Sequence, residues 1–239
     1  MITNPDVQTV RSAVLLAAGR GKRQRPFTDT VPKPLLEVNG RPTMDYVLKA
    51  ASHAGLERVC IVTNYLEDKI FEYVGDGSKW NLLASFAHQN KLNGSGDALM
   101  SIPPAWIRPE PVLVVATDYI LEEKVLLELV EAHKRRSSGS ISMSLKECPL
   151  DELSSRSSVE VDDNWRVKRI IEKPTRAEIM SPYAASILFI FPPAIWEYLP
   201  KIKPSPRGEI EMQSAVEMMI RDGFPAYGLL QPAPAEWSP

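Results

Sequence analysis

Residues Ala13 to Leu35 read AVLLAAGRGKRQRPFTDTVPKPL, and the changes of character along this stretch decide the fold. The apolar run Ala13 to Ala18 predicts a short buried strand. Gly19-Arg20-Gly21 lets the backbone turn sharply and gather its N–H groups on one side, an arrangement suited to phosphate oxygens. Lys22, Arg23, Arg25 and Lys33 follow as a cluster of cations, while Pro26, Pro32 and Pro34 oppose a helix and stiffen the connection. A stiff cationic loop after a buried strand points to a polyphosphate ligand.

Working outward, short apolar runs alternate with helical patterns. Met44 to Ala54 places Met44, Val47, Leu48 and Ala51 on one helix face, with Gly55 as its stop. Val59 to Val62 reads as a strand, Leu66 to Val74 as a helix closed by Gly75-Asp76-Gly77, and Leu82 to Ala87 as a third strand. Val112 to Thr117 is the clearest buried strand, and Glu122 to Arg136 the helix after it, with His133 and Lys134-Arg135-Arg136 at an end where the dipole favours positive charge. This alternation predicts an α/β, Rossmann-like, doubly wound and mainly parallel sheet whose ligands gather at the carboxyl ends of its strands. From Gly139 the pattern turns strand-rich: Ile141, Met143 and Leu145 alternate with serines, then Val159 to Val161, Val167 to Ile171 and Ala184 to Phe191 follow. Pro193 to Leu199 and Glu209 to Arg221 read as helices, and the proline-rich tail from Gln231 holds no long element. With no internal repeat or low-complexity linker, residues 1–239 are expected to form one unit, with an alternating α/β half over about 12–137 and a strand-rich half over about 138–230, which the resemblance given below makes the nucleotide-binding and the sugar-phosphate-binding half.

The formal net charge of −2 gives no global pull toward nucleic acid or an anionic membrane, so local charge has to carry any phosphate binding. Cys60 and Cys148 are far apart and lack the spacing of a zinc site or disulfide framework, which predicts reduced buried thiols. No apolar run approaches the ~20 residues of a membrane span and the N-terminus lacks a signal-peptide core, so the expected location is cytoplasmic.

Three further places carry candidate chemistry. Gln89 to Ala98 is a loop of small residues that admits a flat base closely, or is an ordinary strand-to-helix turn. Asp118 ends the central strand, where a carboxylate can bind a divalent cation or cap the next helix. Glu172-Lys173-Pro174 ends a strand in a charged pair, either a site or a surface ion pair. A dinucleotide fingerprint is excluded at the opening turn, because Gln24 stands where G-x-G-x-x-G needs its third glycine.

Taken together, these motifs resemble the sugar-1-phosphate nucleotidyltransferases, the nucleotide-sugar pyrophosphorylases. The signature L-A-x-G-x-G-x-R, followed by a proline, a threonine and P-K-P, is matched by Leu16, Ala17, Gly19, Gly21, Arg23, Pro26, Thr28 and Pro32-Lys33-Pro34. Gln89 with Gly94-Ser95 resembles the base-recognition loop, Asp118 the metal-binding aspartate, Glu172-Lys173-Pro174 the E-K-P motif, and Arg207 to Glu211 the R-G-E-x-E motif. The resemblance implies that a sugar-1-phosphate oxygen attacks the α-phosphorus of a nucleoside triphosphate with Mg²⁺ as cofactor, releasing pyrophosphate. It assigns Arg23 to the β,γ-phosphates and Lys33 to the α-phosphate, with Leu16, Ala17, Ala18, Gly19 and Gly21 along the nucleotide. It gives the pyrimidine edge to Gln89, Gly94 and Ser95, a sugar hydroxyl to Glu172 and the attacking phosphate to Lys173. The family's second metal-binding aspartate falls six residues after the glycine of R-G-E-x-E, where this chain has Ser214, leaving Glu211 as the other candidate ligand. UTP or dTTP is favoured, with CTP open. The alternatives are a cytidylyltransferase for a non-sugar alcohol phosphate and a non-catalytic nucleotide-binding homologue. No C-terminal β-helix domain is expected, and a homo-oligomer would use Trp80, Trp106 or Trp165 as exposed contacts.

Overall fold

The computed structural model describes residues 9–118 and 120–231; the opening residues and the proline-rich tail beyond Gln231 lie outside it. The chain runs β1 (Ser12–Leu16), β2 (Glu37–Val38), β3 (Arg41–Pro42), α1 (Thr43–His53), β4 (Arg58–Thr63), α2 (Glu67–Val74), β5 (Leu83–His88), α3 (Ser95–Met100), β6 (Val112–Ala116) and α4 (Glu123–Lys134). It continues through β7 (Ile141–Glu147), β8 (Ser157–Val161), β9 (Val167–Glu172), β10 (Tyr183–Phe191), α5 (Ile195–Tyr198), α6 (Met212–Arg221) and β11 (Ala226–Leu230). The main sheet has the order β11-β7-β10-β6-β1-β4-β5. Only β10 runs against its neighbours; the β1, β4, β5 and β6 contacts are parallel, as is β11 with β7. The α/β, mixed and mainly parallel architecture read from the sequence is the architecture found.

Strand alternation explains why the sheet is covered on both faces. Val112 and Val114 of β6 face one apolar core with α3, α5 and α6, whereas Leu113 and Val115 face the other with α1 and α4. Both cores draw on fully buried side chains from the same strands, so the sheet cannot slip by one residue without exposing them. The registers Leu16↔Val62 and Leu16↔Ala116 align the carboxyl ends of β1, β4 and β6, and the loops that follow all emerge at one edge.

Several local readings are corrected. The loop over residues 22–35 contains three short 3₁₀ turns, at Lys22–Gln24, Phe27–Asp29 and Lys33–Leu35, which its prolines tolerate. The helix predicted from Glu209 starts at Met212, because residues 205–211 form a turn in which the Ser205 N–H donates to the Glu209 carbonyl. His133 is not a charged helix end: it is fully buried, accepts or donates through Nδ1 to Ser142 Oγ at 2.9 Å, and burial pushes its pKa down to about 4. Of the three tryptophans expected to be exposed, Trp80 is buried and Trp106 and Trp165 are half-buried. Trp80 is 7% exposed and donates to Asp45, Arg58 stacks on Trp106, and Trp165 packs on Tyr183.

Candidate active site

Glycine, threonine and proline chemistry shape the cationic loop. Gly21 sits at φ 61°, and a Cβ there would lie 2.8 Å from Thr28 Cγ2. Thr28 is 1% exposed and donates to the Gly21 carbonyl at 2.9 Å, tying the turn to the first proline segment. Thr43, buried in the first turn of α1, shares its one hydroxyl proton between the carbonyls of Pro34 at 3.1 Å and Thr117 at 2.8 Å. Thr117 in turn donates to the Leu16 carbonyl at 2.9 Å. The P-K-P segment, the end of β1 and the end of β6 are thereby pinned together. Lys33 Nζ consequently meets Asp118 Oδ2 at 2.5 Å, with both side chains partly exposed to the cleft.

One end of that cleft, about 300 Å³, is lined by Leu16, Ala17, Ala18, Gly19 and Gly21 from the first turn and by Gln89, Gly94 and Ser95 from the second loop. The other, about 760 Å³, is lined by Arg23, Glu172 and Lys173, together with Lys146, Arg156 and Gln213. Gly21, Lys33, Ala116, Asp118 and Ile187 line both, so Lys33 and Asp118 stand at the waist where the two ends meet. Arg23 is exposed on the rim of the larger end.

The second glycine loop also comes close to protein backbone. A Cβ on Gly94, at φ 107°, would lie 2.5 Å from the Ile210 carbonyl oxygen, and one on Gly96 would lie 3.0 Å from the same atom. The Gly96 N–H donates to that carbonyl at 2.8 Å, the Ile210 N–H to the Asn93 carbonyl at 2.6 Å, and the Met212 N–H to Ser95 Oγ at 3.1 Å. The small residues therefore let the R-G-E-x-E segment pack onto the loop. Gln89, 3% exposed, donates through Nε2 to Asp97 Oδ2 at 2.7 Å and to the Gly94 carbonyl at 3.2 Å.

Lys173, on the lining of the larger end, pairs with the acidic residues of the R-G-E-x-E segment, of which Glu209 lines the nucleotide end. Lys173, held at φ 47° where β9 stops, contacts Glu209 at 2.7 Å and lies 3.9 Å from Glu211. Arg207 binds Glu211 at 2.6 Å, and Glu211 is 6% exposed. Burial first, and then Glu211, push the Glu172 carboxyl up to about 7 against the opposing pull of Lys173 and Arg207. Lys146, pushed down chiefly by burial and then by Arg156, adds a cation that the strand pattern of β7 did not single out as functional. For a divalent cation, Asp118 is the carboxylate at the waist, whereas neither Glu211 nor Ser214 lines the cleft. Gln213 does line it, and its Oε1 is buried without a hydrogen-bond partner. Among the described residues no three His, Cys, Asp or Glu side chains converge as a metal cage. One carboxylate supplemented by substrate phosphates is nonetheless an ordinary Mg²⁺ donor set, so the residues fit a cation that arrives with a polyphosphate.

The family model for nucleotidyl transferases matches residues 12–238. A glucose-1-phosphate thymidylyltransferase of Actinoplanes sp. is 30% identical over 218 residues, covering 91% of this chain and 70% of that protein. The UTP--glucose-1-phosphate uridylyltransferase AglF of Haloferax volcanii is 28% identical over 211 residues, covering 88% and 84%. The low-salt glycan biosynthesis nucleotidyltransferase Agl11 of the same organism is 28% identical over 212 residues; the chain spans 57% of that relative's length. In fold, the chain is similar to a UDP-glucose pyrophosphorylase solved with UDP-glucose, with a TM-score of 0.78 and 24% identity over 92% of this chain and 90% of that one. A family match across nearly the whole sequence, on a fold shared with such an enzyme, makes this chain a member of the sugar-1-phosphate nucleotidyltransferase family.

Proposed function

We propose that this protein joins a nucleoside triphosphate, UTP or dTTP in preference to CTP, to a sugar 1-phosphate and releases pyrophosphate. The observation that carries the reading is the waist: one cation and one carboxylate, Lys33 and Asp118, shared by two differently built ends of a continuous cleft. A phosphate attacking a phosphate needs two anions held against their mutual repulsion and the developing charge stabilised, which fixed cations do better than a general base. In this reading Lys33 holds the α-phosphate, Arg23 the leaving β,γ-phosphates, Lys173 the attacking phosphate and Glu172 a sugar hydroxyl. Gln89 and the Gly94 backbone hold the base. The family uses a divalent metal; here it would be Mg²⁺, held by Asp118 and the phosphates, and it would supply charge neutralisation at the triphosphate. Lys33 gives one of its three N–H donors to Asp118, so an arriving phosphate can bind through the others while the pair holds the ammonium in place.

A second reading, a nucleotide-binding homologue without turnover, draws on the absence of Glu211 and Ser214 from the cleft lining. Pyrophosphate release measured over the four ribonucleotides and dTTP, against a panel of sugar phosphates with and without Mg²⁺, separates the two. Metal-dependent release with one nucleotide and one sugar phosphate is the expected result; nucleotide binding with no release for any pair would leave the non-catalytic reading.

A further inference from the structure

Gln89 has lost one of its two chemical faces before any ligand arrives. Its amide nitrogen is enclosed by two groups that can only accept, the Asp97 carboxylate at 2.7 Å and the Gly94 carbonyl at 3.2 Å. A flipped amide would set its oxygen against both of those oxygens and lose both hydrogen bonds, so the orientation follows from chemistry rather than from atom naming. The residue lines the nucleotide end of the cleft, and the polar atom it has left is Oε1, an acceptor. Asp97 sits in the first turn of α3, with its own backbone carbonyl accepting from Ser101 Oγ at 3.1 Å, so its carboxylate is presented from an ordered helix start.

We infer that Asp97 is a positioning residue that locks the Gln89 amide with its oxygen toward the base and so makes the site choose among pyrimidines. This rests on the nucleotidyltransferase reading above. Uracil and thymine carry a ring N3–H that an acceptor can receive, whereas cytosine presents a lone pair at N3, which faces Oε1 oxygen to nitrogen with no proton between them. A buried mismatch of that kind costs affinity because neither group can turn to water. Asp97 would thus set base choice without touching the nucleotide.

The test is equilibrium binding of UTP, dTTP and CTP, by calorimetry, to the wild-type protein, Asp97→Asn, Gln89→Ala and the double variant that combines them. Asparagine is nearly isosteric but can donate, which frees the Gln89 amide to turn and offer its nitrogen to the base. The wild type is expected to prefer UTP or dTTP over CTP by about tenfold or more, and Asp97→Asn to lose most of that ratio, weakening UTP while strengthening CTP. In the Gln89→Ala background the Asp97 substitution should leave the ratio unmoved. Uniform weakening of all three nucleotides, or an unchanged ratio, overturns the inference and makes Asp97 a purely structural residue, with the nucleotidyltransferase reading intact. Absence of nucleotide binding by the folded wild type overturns both. If Asp97→Asn does not fold, as judged by near-ultraviolet circular dichroism, Asp97→Ser carries the same comparison.

Discussion

The two ends of the cleft solve the problem of meeting a ligand in opposite ways. The nucleotide end is built from backbone and neutral groups already held in place: Gly21 by Thr28, the Gln89 amide by Asp97, and the Gly94 to Gly96 turn by Ile210. The sugar-phosphate end is lined by charged side chains, Lys146, Arg156 and Lys173 around a Glu172 carboxyl reluctant to ionise, and Lys173 is held by Glu209, which lines the nucleotide end. The first end is preorganised, and its ligand pays little for ordering it. The second must exchange partners when an anion enters, which makes it selective for a ligand bringing its own charge and hydroxyls. The waist belongs to both patterns, since Lys33 is positioned by a rigid loop yet paired with Asp118.

The sharpest break in this comparison comes from Lys33→Ala. Removing the cation at the waist is expected to lower turnover by about 10²-fold or more, in the range of losses seen when a preorganised charge-stabilising group is deleted, with the fold unchanged by circular dichroism. Near-normal turnover would remove Lys33 from the chemistry. Next, Gly94→Ala should injure both ends together. The new Cβ would meet the Ile210 carbonyl at 2.5 Å from a backbone with φ 107°, and an expected loss of about 1–3 kcal/mol in denaturant unfolding reflects the strained conformation. If the two ends were independent, nucleotide affinity would fall while Lys173-dependent sugar-phosphate binding held.

Smaller effects appear in pH dependence, where the half-buried Glu172 and the fully buried His133 act in opposite directions. Glu172 titrates near 7 in the folded chain against an ordinary 4.5, so the native state holds the extra proton and stability falls as pH rises through that window. Glu172→Gln should remove this slope and raise the melting temperature above pH 7; an unchanged slope would mean that the carboxylate is solvated. His133 is displaced the other way, from 6.5 to about 4, so the unfolded state takes the proton first and stability falls as pH drops through that range. His133→Gln should flatten thermal denaturation between pH 6.5 and 4, leaving the Glu172 slope in view. An unaltered profile would place His133 in contact with water.

Much of this arrangement was legible in the chain. Val112 to Thr117 and Ala13 to Ala18 announced central strands by unbroken apolarity, and the glycines and prolines marked the loops at their carboxyl ends. What stayed hidden depends on contacts between segments remote in sequence. That Gly94 and Gly96 also leave room for Ile210, which arrives from the other half, cannot be read from their own loop. Lys146 and Gln213 sit on a strand and a helix whose periodicity says only which way they face. His133 ends a helical pattern in a row of basic residues, and nothing local reveals that β7 covers it through Ser142. The lock of Asp97 on Gln89 spans a single loop, yet it requires the turn geometry before the two side chains can be seen to meet.

The central claim, that an α-phosphoryl group is transferred at the Lys33 and Asp118 waist, is tested most directly by following its phosphorus. Purified protein is incubated with UTP or dTTP labelled at the α-phosphate, Mg²⁺ and a sugar 1-phosphate in a single turnover, and the products are separated. Label recovered in a nucleotide sugar, in step with unlabelled pyrophosphate and absent from Lys33→Ala, is the predicted result. Label that stays in the bound triphosphate for every sugar phosphate offered, or that appears only as nucleoside monophosphate or diphosphate, would contradict it.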